Sequence, residues 1–437
     1  PMDFLRELVQ NAHDSAVRRA VEDDHPPEPE IRVVARPDER TLRIMDNGAG
    51  LTHHEIVAYL ATIGAGKTGE LRAAGTDAFI GQFGLGFLSA YAVADQVVVH
   101  TTSHADPSTS HTFMSRDGQR FTLTPGPPRE VGTEVLLHLK AEHARLADPD
   151  VVRGLLARYC CLLPIPVLCP HPVNPEPPPW RRDLSELTPF RIRKLRLDFA
   201  EGHEGRFRPI ATVPVEPTAG CPIQGLLWIQ DGASYASSDN RNVRLFVRGM
   251  LISEDLRDLL PRWAGFVGGV LEGDHLLPTA SREDVQRDEA FGAAVRTLRE
   301  TLIQGLRRLA EEDREAWAML RLRHNEALLG ASLADPRLFE VLKDCLTVPT
   351  NQEPMTLPEI RDRSEGRLVQ ATGVASSGSV WFRSRSAPLI AGHRFGVAPF
   401  VARWAREEAV EVVRLGDGSE QQLFELVDLE PEASAAL

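Results

Sequence analysis

FLRELVQNAHDSAVRR, residues 4–19, is the stretch that decides the fold of this chain. Its apolar residues recur every three or four positions, which predicts an amphipathic helix from Met2 to about Val21. Glu7, Asn11 and Asp14 stand at positions i, i+4 and i+7, so all three share one face of that helix. A carboxylate and a carboxamide one turn apart can orient a water molecule and bind Mg²⁺; a solvated surface face is the alternative for this motif alone.

The second feature is an acid at the end of a predicted strand. Ile31–Ala35 and Thr41–Met45 read as a strand hairpin, and Asp46 follows directly in DNGAG, residues 46–50. A carboxylate at that point can accept a hydrogen bond from an exocyclic amine of a base. Gly48 and Gly50 would let a flat ring approach the backbone, although an ordinary turn explains the pair equally well.

Two glycine-rich segments and a Gly-Thr pair come next. GQFGLGF, residues 81–87, precedes a predicted helix from Phe87 to Ala94, and main-chain N–H groups at a helix start bind phosphate. GAGKTG, residues 64–69, is typical of a mobile lid. Gly132-Thr133 opens a further strand, where the hydroxyl could reach a base through water. An ordinary surface loop explains each segment when it is taken alone.

The order of these segments is more informative than any one of them. The parts that an ATP site needs follow one another within about 130 residues. They are a helix that can bind a metal ion, an acid that can bind the edge of a base, a loop that can bind phosphate, and a hydroxyl that closes the site. Coincidence does not easily explain all of them in this order. The motifs therefore indicate an ATPase.

Composition limits the other possibilities. The chain has 437 residues and a formal net charge of −13, so it is long enough for two or three domains and a poor non-specific binder of nucleic acid. No apolar run approaches the about 18 residues of a membrane span, and no secretory signal is visible. The five cysteines are odd in number and form no CxxC pair, which favours a reducing cytoplasm over a disulfide framework or zinc site.

The fold class predicted from the periodicity is α/β (α+β), with helices on one face of a mostly antiparallel sheet. The run EPPP, residues 176–179, marks a stiff linker, after which strands Ile223–Ile229 and Val243–Val247 and helices Ser253–Leu260 and Asp288–Leu309 are expected. A smaller α/β unit closes the chain, with strands at Leu368–Thr372, Val380–Arg383, Val410–Leu415 and Leu423–Val427.

These motifs resemble those of the heat shock protein 90 family, in the superfamily shared with gyrase, histidine kinases and MutL. The segments FLRELVQNAHD (residues 4–14) and IGQFGLGFLSAY (residues 80–91) carry the resemblance in the first half. In the second half RLFVRGMLI (244–252), LPRW (260–263) and SREDVQ (281–286) are similar to the family's middle domain. The resemblance is strongest to bacterial members.

The resemblance implies a role for individual residues. Glu7 would be the water-activating carboxylate, with Arg6 beside it, and Asn11 the magnesium ligand. Arg282, with Gln286 one turn on, would reach the γ-phosphate when the domains close. Further contacts to ATP or ADP are implied for Asp14, Asp46, Gly48, Gly50, Leu51, Lys67, Gly81, Gln82, Phe83, Gly84, Leu85, Gly86, Phe87, Phe113 and Thr133.

It also implies a domain plan: an ATP-binding domain over residues 1–169, a linker over 170–180, and middle subdomains over 181–325 and 326–437. The family's N-terminal strand and helix and its C-terminal dimerisation domain are expected to be missing. Client proteins, with cochaperones, are the implied partners, without nucleic acid or membrane. Trp263 and Phe266 are candidates for a client surface, with burial in the core the equal alternative.

Three functions are therefore compared. The first is an ATP-dependent chaperone that closes on unfolded or partly folded clients. The second is a client-binding module on the same fold that has lost ATPase activity. The third, a DNA-acting ATPase of the gyrase or MutL type, conflicts with the acidic charge; a histidine kinase would need a phospho-acceptor helix before the first motif, and none is visible.

Overall fold

The computed structural model describes residues 3–60, 86–232, 239–279, 284–371, 388–394 and 396–415. Within these ranges the chain forms an eight-stranded, a five-stranded and a three-stranded sheet, with a short two-stranded hairpin between them. Helices pack on these sheets, and the expected class of a mixed α/β protein with a mostly antiparallel first sheet is confirmed.

The first unit has helices α1 (Asp3–Glu22), α2 (His53–Leu60), α3 (Ala90–Val93) and α4 (Pro149–Cys160). Its strands are β1 (Ile31–Arg36), β2 (Thr41–Asp46), β3 (Ala94–Thr102), β4 (Ser110–Ser115), β5 (Phe121–Pro125), β6 (Gly132–Leu139), β7 (Val167–Cys169) and β8 (His171–Pro172). They are ordered β5-β4-β3-β6-β2-β1-β7-β8, and neighbouring strands are antiparallel except β1 and β7.

Helix α1 packs on this sheet through the apolar stripe that its sequence predicts. Phe4, Leu5, Leu8 and Val9 are all at most 2% exposed and share one core with strand residues such as Leu42. Burying each of these side chains contributes about 1.5–3 kcal/mol, so the stripe determines which way the helix is turned. The polar face of α1 is thereby fixed in place, with Ser15 donating a hydrogen bond to Asp46 at the end of β2.

The second unit has helices α5 (Pro189–His203), α6 (Glu289–Glu312), α7 (Arg314–Ala334) and α8 (Pro336–Leu342). Its strands are β9 (Pro209–Val215), β10 (Gln224–Gln230), β11 (Asn242–Val247), β12 (Met250–Ser253) and β13 (Val267–Glu272), in the order β12-β11-β13-β10-β9. Helix α5 covers the face bearing Leu226 and Trp228, and α6 covers the face bearing Leu227 and Ile229. The sheet is therefore sandwiched between these two helices.

The last part of the described chain contains β14 (Thr347–Val348), β15 (Met355–Thr356), α9 (Leu357–Arg363), β16 (Arg367–Ala371), β17 (Leu389–Ala391), α10 (Val397–Glu407) and β18 (Glu411–Leu415). Strands β17 and β18 both pair in parallel with β16. One continuous hydrophobic core joins this part to the second unit, and the expected division between residues 325 and 326 falls inside α7.

The first and second units are in contact. Met250 of β12 is fully buried in the core of the first unit, and Arg158 of α4 forms a salt bridge with Glu254. Gly249 has a φ of +77° and packs so closely on the main chain of Leu162 that a Cβ would collide with it. The ends of the expected linker are also packed: residues 171–172 form β8, and Trp180 Nε1 donates to Glu272 at 2.9 Å.

Several predictions about local structure were wrong. The helix expected over Ser253–Leu260 is a single 3₁₀ turn, Arg257–Leu259, because β12 extends to Ser253. Helices α5 and α7 were not predicted, although Thr188 caps α5 with Pro189 at its first position. Phe266 is fully buried and stacks on His324, with ring centroids 4.7 Å apart, so it offers no client surface. The strands expected at 380–383 and 423–427 lie outside the described residues.

Glu204, just after α5, joins two strands of the second sheet, β10 and β11. Its carboxylate accepts hydrogen bonds from Trp228 Nε1 at 2.8 Å, Gln230 Nε2 at 3.1 Å and Asn242 Nδ2 at 3.2 Å. Burial raises the pKa of Glu204, but these hydrogen bonds outweigh it and hold the pKa below its ordinary value. The carboxylate therefore stays ionised and satisfies donors that are otherwise buried.

Replacing this carboxylate should destabilise the second unit. Glu204→Ala leaves the indole N–H of the buried Trp228 without its acceptor and removes the acceptor of Asn242 Nδ2, and we expect the free energy of unfolding to fall by about 2–4 kcal/mol. The measurement is urea denaturation followed by tryptophan fluorescence. Glu201→Ala, on the exposed side of the same helix, should change stability by less than about 0.5 kcal/mol; equal effects of the two variants would contradict the role of Glu204.

Candidate nucleotide site

The polar face of α1 is built as the spacing predicts. Glu7 and Asp14 are buried, with 7% and 6% of their surfaces exposed, whereas Asn11 between them is exposed. The main chain of α1 is rigidly held by its apolar stripe, so the Asn11 amide faces open space with a buried carboxylate one turn to either side. Arg6 lies on another side of the helix, where its guanidinium is 6.0 Å from the ring centroid of Tyr159.

Asp46 is the acid at the end of β2, and it is held against α1. Its Oδ1 accepts hydrogen bonds from the Ser15 hydroxyl at 3.0 Å and from the Gly48 main-chain N–H at 2.9 Å. Burial raises the pKa of Asp46 to about 6, against the opposing effects of these two bonds, of the Arg18 charge and of the Thr133 main-chain N–H. A partly buried carboxyl of this kind is stabilised by any additional donor that reaches it.

The loop after Asp46 is pressed between α1 and β3. Gly50 has a φ of +63°, and a Cβ there would collide with the carbonyl of Thr102. A Cβ on Gly48 would collide with Ser15, and Ala49 N–H donates to the Ser15 carbonyl at 3.0 Å. Only glycine fits both positions, so the backbone of this loop is fixed beside Asp46 and α1.

Arg18 fixes the end of the loop. Its guanidinium donates to the Gly50 carbonyl and, at 3.2 Å, to Glu55 Oε1. Glu55 in turn accepts from the Thr52 main-chain N–H at 2.9 Å. Both charged side chains are at most 9% exposed, and they satisfy each other as buried charges must.

Thr133 lies beside the acid, as expected from its place at the start of β6. It is the register partner of Asp46 across the β2–β6 pair. Its hydroxyl is 3.1 Å from the Thr101 hydroxyl, which also accepts from the Leu51 N–H at 2.9 Å. The structure thus brings together α1, the Asp46 loop, Leu51 and Thr133.

Phe87 and Phe113 lie in the core rather than on an open surface. They are 8% and 1% exposed, with ring centroids 6.4 Å apart. Gly86 opens a 3₁₀ turn, Gly86–Ser89, and α3 then adds a single turn of helix before β3 begins at Ala94. The helix predicted from Phe87 to Ala94 is thus present over residues 86–93, its first turn of the 3₁₀ type, and it ends one residue early because β3 begins at Ala94.

Some of the predicted site residues cannot be placed. The following residues lie outside the described ranges: Lys67, Gly81, Gln82, Phe83, Gly84, Leu85 and Arg282. Gln286 is exposed, and its N–H donates to the Leu277 carbonyl at 2.8 Å, next to a Pro278–Val285 bridge. The expectation of a helix that puts Gln286 one turn after Arg282 was wrong, because these flanking residues pair as two antiparallel segments.

Three supporting residues were missed from the sequence: Ser15, Thr101 and Glu55. Ser15 follows Asn11 by four positions, so an extension of the same helical face would have found it. No sequence spacing relates Thr101 or Glu55 to the other site residues, because only the folding of the chain brings them together. In the described ranges no cluster of three or more His, Cys, Asp or Glu side chains could hold a metal ion, and no helix there is long and apolar enough to cross a membrane.

The raised pKa of Asp46 predicts a pH-dependent stability difference. The pKa of Asp46 is 3.8 in the unfolded chain and about 6 in the folded one. Between these two pH values the folded state keeps a proton on Asp46 that the unfolded state has released. The contribution of Asp46 to stability therefore falls as the pH rises from about 4 to 6. Asp46→Asn keeps an acceptor for Ser15 and Gly48 without the charge.

We expect Asp46→Asn to gain up to about 3 kcal/mol relative to the wild type between pH 4 and pH 7. The measurement is urea unfolding of both proteins at the two pH values. Glu39→Gln, in the exposed β1–β2 turn, is the control and should show no such change. An Asp46→Asn difference that is the same at both pH values would contradict the raised pKa.

Comparisons with known proteins agree with this geometry. A family model described as "Histidine kinase-, DNA gyrase B-, and HSP90-like ATPase" matches residues 3–125, which include α1, Asp46 and Phe113. A second model, "Hsp90 protein", matches residues 226–331, from β10 into α7.

Individual relatives carry the name "Chaperone protein HtpG". The protein from Paramagnetospirillum magneticum is 29% identical over 331 residues, covering 71% of this chain and 52% of the relative. The protein from Escherichia coli O1:K1 / APEC is 28% identical over 344 residues, covering 72% and 55%. The protein from Halorhodospira halophila is 27% identical over 395 residues, covering 82% and 62%.

The chain thus spans a little over half the length of these relatives. The two family models match separate segments in the order of the two units described above, and the relatives extend across both. The chain is therefore similar to the heat shock protein 90 family, and its first unit to the histidine kinase-, DNA gyrase B- and HSP90-like ATPases.

Proposed function

We propose that this chain binds and hydrolyses ATP and couples hydrolysis to domain closure on unfolded or partly folded client proteins, as a molecular chaperone. The observation that carries the proposal is the partly buried carboxyl of Asp46, joined to α1 through Ser15 and bordered by a loop of obligatory glycines. Adenine offers an exocyclic amine, which is the kind of donor that such a carboxyl accepts. Similarity to an ATPase family supports the same ligand.

The face of α1 fits the other end of the nucleotide. Asn11 is exposed on the same face as the buried Glu7, and a carboxamide oxygen is a hard ligand of the type that Mg²⁺ prefers. When bound, Mg²⁺ neutralises phosphate charge, and Asn11 would be its protein ligand. Glu7 would accept a proton from the attacking water, and Arg6 and Asp14 would support its position on the helix.

Further contacts rest on the family resemblance. Gly48, Gly50, Leu51 and Thr133 would border the base, with Phe87 and Phe113 behind it. Residues 81–86 would lie along the phosphates and Lys67 would belong to the lid. Arg282 would be supplied from the second unit on closure, because a cation that arrives only in the closed state stabilises the charge of the transition state selectively.

The wider biology is part of the same proposal. Client proteins and cochaperones would be the partners, and a cytoplasmic location fits both the cysteine content and the HtpG relatives. A homodimer formed through a C-terminal domain is likewise implied by the family resemblance. A DNA-acting role is disfavoured by the net charge of −13.

Glu7→Gln tests the catalytic assignment. The variant removes the proton acceptor but keeps the shape of the side chain, so we expect ATP hydrolysis to fall by about 10²–10⁴-fold while ATP affinity is retained. Phosphate release and isothermal titration calorimetry measure the two quantities. Glu39→Gln should hydrolyse ATP like the wild type. If the wild type binds ATP but releases no phosphate, the chain is a binding module; if it binds no ATP, the site itself is refuted.

Arg282→Ala tests the contribution of the second unit. We expect hydrolysis to fall by about a hundredfold with unchanged ATP affinity, because the arginine would act only in the closed transition state. Arg287→Ala is the matched control, since Arg287 lies in the same segment and pairs with Asp284 at 2.8 Å. Equal activities of the two variants would remove Arg282 from the proposed mechanism.

A further inference from the structure

Strand β9 is the edge of the five-stranded sheet, and one side of its backbone is open. Asp231 N–H donates to the Arg208 carbonyl, on the β9 side, whereas Gln230 N–H donates to the Phe266 carbonyl, on the β13 side. Because main-chain groups alternate in direction along a strand, the odd-numbered residues of β10 direct their N–H and C=O groups toward β9. Their register partners on β9 are Ala211 and Val213. Main-chain groups alternate along a strand, and therefore those of Ile210, Thr212 and Pro214 face away from β10.

The open side of β9 forms the floor of a groove. Helix α5 borders it on one side and α6 on the other, and the cleft between them has a volume of about 380 Å³. Its walls combine charged side chains with apolar ones, the latter including Ile192 and Leu197 from α5 and Leu309 from α6. A second cleft of about 230 Å³ shares Arg196 and Pro214 with it, so the groove continues along the strand.

Two arginines face each other across this groove. Arg196 of α5 and Arg308 of α6 both line it, and neither forms a salt bridge or hydrogen bond with any residue in the described ranges. Burial lowers the pKa of Arg196, with the Arg308 charge acting in the same direction and Glu216 opposing it. By contrast, Arg193 is neutralised by Asp313 at 2.7 Å, and Glu312 lies on the same rim.

Two like charges that face each other across a groove, with no hydrogen-bonded carboxylate between them, favour an anionic ligand there. We propose that this groove binds an extended acidic segment of another protein as an added strand on β9. The Thr212 N–H and carbonyl would supply main-chain hydrogen bonds, while Arg196 and Arg308 would pair with carboxylates of the added segment. Pro209 and Pro214 lack N–H groups, so the added strand is short and the edge is protected against extended self-pairing.

A binding experiment with the full chain tests this site. The probe is a fluorescein-labelled peptide of alternating Glu and Val, eight residues long, measured by fluorescence anisotropy. We expect Arg196→Gln/Arg308→Gln to weaken binding at least about tenfold through the loss of two charge-assisted contacts. Arg307→Gln is the matched control, because Arg307 is the neighbouring residue, pairs with Glu311 at 2.9 Å and does not line the groove.

A second peptide separates strand pairing from simple charge attraction. It has the same sequence with alternate N-methylated residues, which removes the N–H donors and keeps the charge, and we expect its binding to be lost. Equal binding of both peptides, equal binding by the double variant, or equally strong competition by a single-stranded oligonucleotide would each overturn the proposal. Glu7→Gln should bind the peptide like the wild type, so this test is independent of ATP hydrolysis.

Discussion

The contact between Asp46 and Ser15 is the interaction on which the candidate site depends. It joins the end of a central strand to the helix that carries Glu7 and Asn11, over a hydrogen bond of 3.0 Å. A partly buried carboxyl tolerates this position only because Ser15 and Gly48 donate to it. The glycine loop, the Arg18–Glu55 pair and the Thr101–Thr133 pair all act around this point and hold its geometry.

The second unit is organised by a comparable principle, in which one carboxylate satisfies several donors. Glu204 joins Trp228, Gln230 and Asn242 on the face covered by α5. Glu272, almost completely buried, receives Trp180 and Arg181 from the segment that precedes α5. The part of that segment up to residue 180 was expected to be a stiff linker. A proline run favours an extended backbone, but it does not prevent the residues after it from docking on a sheet.

Local patterns predicted much of the first unit. The stripe in α1, the hairpin of β1 and β2 and the face shared by Glu7, Asn11 and Asp14 all follow from side-chain period. The predictions failed where the pattern was weak or tertiary contacts overrode it. Helix α5 has polar residues around most of its surface, and the helix expected over Ser253–Leu260 is replaced by a single 3₁₀ turn because β12 extends to Ser253.

The sequence by itself determined the resemblance to the heat shock protein 90 family, the polar face of α1 and the order of the site segments, because each depends on residue types at short spacings. Only the tertiary structure decided that Ser15, Thr101 and Glu55 support the site, since they are distant in sequence from the groups they hold. The burial that raises the pKa of Asp46 to about 6 is likewise tertiary. So is the meeting of Arg196 and Arg308 across an open strand edge, because opposite faces of one sheet carry the two helices.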